Sequence, residues 1–202
     1  MLTLNFNQIS NKLDAKIVNQ YLGIMDNVNP EDPKFQESFS DFYQINNSGW
    51  KSPAIMKSLF FNVFSAFNEI NKKGYQLNYE MIVTVLSKIS GMTEKSFSSK
   101  MLHTLYKDEP IIDSKVIGKI KDKKSNFKLA TGYAQSLYVA NYTLPMAIDL
   151  HNCLKKYYDS LKKDTSTILY ISDFDNWCNS QGINPSRISE TKKIDFWMWL
   201  AP

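Results

Sequence analysis

The chain has 202 residues, 43% of them apolar and 13% aromatic, enough to bury a sizeable core as one domain and to exclude general disorder. No stretch approaches the roughly 18 uninterrupted apolar residues of a membrane span, and MLTLNFNQISNKLD has no basic region followed by an apolar one, so a soluble, cytoplasmic protein without a membrane partner is expected. Two cysteines and two histidines are too few for a disulfide scaffold or a four-thiolate or iron–sulfur centre, so no metal and no cofactor are expected.

Helical signals then follow one another along the chain. Residues 11 to 22 carry Leu13, Ile17 and Leu22 near helical spacing before the breaker-rich GIMDNVNPEDP. Pro53 suits the first turn of a long helix whose apolar stripe is Ile55, Leu59, Val63, Phe67 and Ile70, and Lys72-Lys73-Gly74 ends it. Asn78 caps a helix carrying Ile82, Val85, Leu86 and Ile89, which stops at Ser90-Gly91. After the turn MTEK, residues 96 to 105 face Phe97, Met101, Leu102 and Leu105 inward. Asp113 or Ser114 caps a short helix through Val116, Ile117 and Ile120, which reaches a Lys-rich loop at 121 to 128.

Residues 129 to 161 read as one helix kinked at Pro145. TSTILYIS, 165 to 172, reads as the only strand, followed by a short helix at 173 to 180 and a last one from Ser189 with Ile194, Phe196, Trp197, Trp199 and Leu200. The expectation is an all-α helical bundle, at most one short strand, forming a single domain over 1–202 with a C-terminal helical part at 129–202.

Charge is informative by its placement. Between Gly91 and Ala130 nine lysines face five acids, so this segment holds the whole formal excess of +4. A local surplus suits a phosphate backbone, whose neutralisation releases counterions; a solvated Lys-rich face is the other reading of the same residues. A helix, a tight Gly turn and a second helix also bring unpaired N–H groups and a positive dipole end to one place.

The order Gly91-Met92-Thr93-Glu94-Lys95, an apolar-faced helix, then Pro110-Ile111-Ile112-Asp113-Ser114-Lys115-Val116 resembles the helix-hairpin-helix DNA glycosylase superfamily. In its endonuclease III group the hairpin overlies Ser90 to Lys95 without a gap, and the catalytic aspartate falls on Asp113, eighteen positions after Lys95. The string SFSSKMLHTLYKDEPIIDSKV is also similar to a bacterial branch related to that superfamily and to the 8-oxoguanine glycosylases. The resemblance covers residues 55 to 120, with Lys193-Ile194-Asp195-Phe196-Trp197 fitting more loosely. Thr93 stands where the superfamily has a second hairpin glycine, and the cysteine cluster of the endonuclease III group is absent.

The resemblance implies a helix-hairpin-helix motif, with the hairpin and catalytic segment at 78–121, and a DNA N-glycosylase that removes a damaged or modified base in repair or in defence against modified DNA. Asp113 would activate water or stabilise the oxocarbenium-like sugar, while remaining readable as a plain N-cap. Lys95 would add lyase activity by attacking the sugar carbon, or would simply contact phosphate. Gly91, Met92, Thr93, Ser96, Lys100, Lys115, Lys121, Lys123 and Lys124 are the expected DNA contacts. Trp50, Tyr106, Tyr133, Tyr138, Trp177, Trp197 and Trp199 are the aromatics available to stack on an extruded base, and His103 and His151 read as structural. The alternative readings are a non-catalytic DNA-binding module and a helical protein-interaction domain.

Overall fold

The computed structural model describes residues 2–45, 53–132, 135–138 and 141–202. Among them are ten α-helices and no strand, so the all-α expectation holds. Asp14 accepts from Lys16 N at 2.9 Å to start α1 (Ala15–Asp26), which buries Val18, Tyr21, Leu22 and Ile24. α2 (Pro33–Tyr43) is a helix that the sequence reading lacked. Asp32 caps it, Pro33 opens it, and Phe35, Phe39 and Phe42 bury one face before Gln44 turns left-handed at φ 54°.

α3 (Pro53–Lys72) starts where Pro53 predicts, but it is rotated from the expected stripe. Phe67 is buried as expected, but Ile55 and Ile70 are exposed, while Phe60, Phe61 and Phe64 are buried because these rings pack against Phe35 and Phe39 of α2. In α4 (Tyr79–Ser90) the Asn78 carboxamide caps Met81 N at 3.0 Å as expected, and Tyr79, Ile82, Val83 and Leu86 are buried. Val85 and Ile89 face outward. Gly91, at φ +71°, ends the helix in a conformation costly for any other residue, and α5 (Lys95–Leu105) begins four residues on.

α6 (Ser114–Lys121) is capped by Asp113, not by Ser114. The Lys-rich loop instead carries a 3-10 turn at Lys123–Ser125 and the short α7 (Phe127–Thr131), which Gly132 closes at φ +75°. The single kinked helix at 129–161 is not found. α8 runs Leu144–Leu161, with Pro145 in its first turn, where a missing N–H costs nothing and no kink arises.

The expected strand at 165 to 172 is helix, and it merges with the expected helix at 173 to 180 as α9 (Thr165–Ser180). Asp164 caps Ser166 N at 3.0 Å, and Thr167, Tyr170, Phe174 and Cys178 recur on one buried side. The cap and that periodicity outweigh the β-branched content.

α10 (Glu190–Leu200) runs through the interior, against α6, α9 and the N-terminal turn Phe6–Gln8. Eight consecutive residues, Thr191 to Met198, are buried, so the helix has no solvent face over two turns. Three of them, Lys192, Lys193 and Asp195, are charged types, and they lie beside the site.

Candidate functional site

A groove of about 710 Å³ opens where the start of α5, the start of α6 and the end of α10 meet. Ile112 N donates to Ser99 Oγ at 2.9 Å, which ties the residue before Asp113 to α5. Asp113 is thereby held at the groove wall, half-buried, with both carboxylate oxygens engaged. Oδ1 accepts from Val116 N at 2.8 Å as the helix cap, and Oδ2 accepts from the Trp199 indole N–H at 2.5 Å.

Four lysines share this groove with Asp113: Lys95, Lys100, Lys115 and Lys121. Lys100 is buried, and its ammonium donates to Tyr43 O at 3.0 Å. Burial lowers it to about 8, opposed by the charge of Asp113. Lys95 Nζ sits 4.1 Å from the centre of the Tyr142 ring, and desolvation pulls it below the ordinary lysine range against the opposing Glu94. Lys115 reaches Trp199 O at 3.4 Å and lies 5.4 Å from that ring centre. Lys121 is exposed at the rim.

Behind Asp113 lies a small chamber of about 10 Å³, lined by Tyr43, Ile111, Val116, Lys192, Asp195, Phe196 and Trp199. Lys192 is only 3% exposed. Its Nζ stands 4.9 to 5.9 Å from the ring centres of Tyr21, Phe42, Tyr43, Phe196 and Trp199. That aromatic surround, with Asp195 and Asp113 as countercharges, is what makes a buried ammonium tolerable, although burial still lowers its pKa. Asp195 Oδ1 accepts from Tyr158 Oη at 2.5 Å, while Oδ2 is buried with no hydrogen-bond partner. Burial pushes this carboxyl up to about 7, against the pull of Lys192 and the Tyr158 bond.

Of the residues expected at the site, Lys95, Ser96, Lys100, Asp113, Lys115 and Lys121 line one groove. Gly91, Met92 and Thr93 form the α4–α5 turn and lie outside its lining. Met92 N is taken by Ser90 Oγ at 3.1 Å and Glu94 N by Ser87 Oγ at 3.4 Å, so the turn satisfies part of its own donors. Lys124 is exposed on the 3-10 turn, and the Lys123 side chain lies outside the described residues.

The aromatics separate similarly. Trp199 is partly exposed in the groove, whereas Trp197 is buried with its N–H donated to Gln8 Oε1 at 3.1 Å. Tyr106 instead bonds Asn71 Oδ1 at 2.8 Å on another face, and Trp177 packs on Phe174. Trp50, Tyr133 and the Tyr138 side chain lie outside the described residues.

Tyr43, Tyr142 and Lys192 belong to the site without being singled out from sequence, and Asp195 stands out there only within the Lys193–Trp197 run of the resemblance. Lys192 and Asp195 are three apart on one helix with Trp199 a turn beyond, and that charged pair inside an aromatic run is the signal that was available.

Both histidines are structural, as expected. His103 is fully buried, its Nδ1 donating to Glu109 O at 2.6 Å and its Nε2 accepting from Tyr21 Oη at 3.1 Å. His151 stacks flat on Tyr79 with ring centres 4.1 Å apart. Its Nε2 lies 3.7 Å from Glu109 Oε2, yet burial lowers the imidazole to about 3, so this is no ion pair at neutral pH. Among the described residues no group of side chains could hold a metal ion, and no helix is long and apolar enough to cross a membrane. No family model, no curated protein and no solved structure matches this chain.

Proposed function

We propose that this protein is a DNA N-glycosylase in which Asp113 is the catalytic carboxylate and α4, the Gly91 turn and α5 serve as a helix-hairpin-helix. The observation that supports this reading is the position of Asp113, between an open groove bearing four lysines and a buried aromatic chamber. A phosphate backbone laid along Lys95, Lys115 and Lys121, with the buried Lys100 adding its charge from behind, would place one nucleotide at the groove wall. Rotated out of the stack, its base would enter beside Tyr43 and Trp199, and its sugar would lie against Asp113.

The chemistry follows from charge. As the bond from C1′ to the base nitrogen breaks, the electron pair leaves with the base and positive charge develops on the sugar. Asp113 stabilises that cation and takes a proton from the water that adds to C1′, while the departing base is protonated. Lys95 is the nucleophile of an added lyase step: its unprotonated amine displaces the base at C1′ and passes a proton to the ring oxygen as the C1′–O4′ bond opens to the Schiff base, and loss of a C2′ proton then expels the 3′ phosphate by elimination. Its desolvation favours the unprotonated form.

One observation favours a second reading, a DNA-binding module without catalysis: both Asp113 oxygens are already occupied, by Val116 N and by Trp199. End-labelled duplexes carrying a panel of modified bases separate the two. Alkali-dependent cleavage lost in Asp113→Asn establishes the glycosylase, and a borohydride-trapped adduct lost in Lys95→Ala adds the lyase. Salt-sensitive binding without an abasic product across the panel leaves the binding module; no binding at all removes DNA as the partner.

A further inference from the structure

Three side chains at the inner end of the groove, Trp199, Lys192 and Asp195, line one small chamber. Trp199 is a large, partly exposed ring at the end of α10, and its indole nitrogen is spent on Asp113. It packs against Phe42, with ring centres 5.9 Å apart, and it forms part of the chamber wall. Beneath it lie a buried ammonium, Lys192, and a buried carboxylate oxygen, Asp195 Oδ2, which has no hydrogen-bond partner. Burying a carboxylate oxygen without a donor is costly, so its persistence points to a ligand that supplies one.

Indole and a purine are planar bicycles of similar size, and each carries N–H on its edge. We propose that Trp199 is a displaceable plug, and that the chamber it seals receives a heteroaromatic ring whose edge places an N–H beside a carbonyl oxygen. The N–H donates to Asp195 Oδ2, and the carbonyl accepts from Lys192. Tyr43 and Phe196 supply the flanking aromatic surface. At about 10 Å³ the chamber holds no ring while Trp199 stands in its wall, so entry and displacement of Trp199 are one event, and the same movement frees Asp113 Oδ2.

The ring class follows from the pairing. Guanine, hypoxanthine, uracil and their oxidised relatives present such a lactam edge, whereas adenine and cytosine present an amidine edge with the opposite order of donor and acceptor. The identification of the ring as a base in DNA rests on the glycosylase reading; the chamber, its plug and its edge selectivity do not.

The test uses Trp199→Ala with free hypoxanthine and adenine as probes, read by calorimetry, with circular dichroism and a thermal melt confirming the fold. Hypoxanthine is expected to bind the variant and not the wild type, and to bind about ten-fold more tightly than adenine, the usual worth of one charge-assisted hydrogen bond. Adding Lys192→Met to Trp199→Ala is expected to abolish that preference. A folded Trp199→Ala that binds neither base, or both equally, overturns the proposal.

A second measurement keeps the native chain intact. With 5-fluorotryptophan incorporated and the Trp199 resonance assigned through Trp199→Phe, a duplex bearing hypoxanthine is expected to shift that resonance; an unmoved resonance on a bound duplex overturns the plug. Ring binding without any DNA affinity leaves the chamber standing and ends the glycosylase reading. Base release from DNA together with no ring binding by the variant does the reverse.

Discussion

Lys192 and Lys193 on α10 are 3% and 5% exposed, whereas Lys115, Lys121 and Lys124, on and just after α6, face solvent. The two regions hold the same residue type in opposite surroundings. On α10 each ammonium has a countercharge from its own helix or a neighbouring one: Lys192 has Asp195 and Asp113, and Lys193 pairs with Asp175 at 2.6 Å. Lys121 and Lys124, at and just after the end of α6, are exposed and contribute little to folding. The positive excess visible in the sequence marks the solvated edge of the site, while its buried cation comes from a part of the chain with no net charge.

The comparison breaks most visibly at Lys192. Lys192→Ala leaves Asp195 buried without its cation and empties part of the aromatic surround, and a loss of about 4 kcal/mol in a denaturant melt is expected. Lys192→Met with Asp195→Asn should recover much of that loss, because neither charge is then stranded. A Lys192→Ala chain as stable as wild type would mean that this ammonium is far better solvated than its burial indicates.

Asp113→Asn sharpens the contrast between stability and activity. Asn caps a helix as well as Asp does, but its amide nitrogen would meet the Trp199 N–H and the countercharge to Lys192 is lost, so a loss of about 1 to 3 kcal/mol in the melt is expected, while on the glycosylase reading base release falls about a thousand-fold. DNA affinity measured by fluorescence anisotropy should stay within a few-fold of wild type.

Buried and solvated titratable groups also differ in how they respond to acid. His103 and His151 are both lowered from 6.5 to about 3 by burial. Between those values the unfolded chain binds protons that the folded chain refuses, so their contribution is complete above pH 6.5 and is lost as pH falls toward 3. Each costs about 2 kcal/mol between pH 7 and pH 5 by that linkage. Asp195 acts oppositely. Burial raises its carboxyl above the unfolded value, so its contribution grows as pH falls and opposes that of the histidines. In urea melts at pH 7 and pH 5, His151→Phe, which keeps the stack on Tyr79, should make the lower pH less destabilising than it is for the wild type.

The smallest effect lies at the solvated edge. Lys121→Ala should change stability by no more than about 0.5 kcal/mol. It should weaken DNA binding uniformly across sequences and lower the salt slope by about 1. An unchanged slope would take Lys121 out of the backbone path.

Where local chemistry sufficed, the sequence alone was legible. Asn78 and Asp113 cap the helices they were expected to cap, Gly91 ends α4, and Pro53 opens α3, since capping and positive φ depend on a few adjacent residues. The grouping of Lys95, Ser96 and Lys100 with Asp113 was anticipated through the hairpin-to-aspartate order, because all lie on two consecutive elements.

What tertiary packing decided was different in kind. It turned TSTILYIS into helix by burying Thr167, Tyr170 and Phe174 on one side, and it rotated α3 toward the rings of α2, because side-chain burial outweighs intrinsic propensity. It also placed Lys192, Asp195 and Trp199, from the far end of the chain, behind an aspartate some eighty residues earlier. No local pattern encodes that meeting, since it depends on α10 crossing the interior and on the countercharges and rings it finds there.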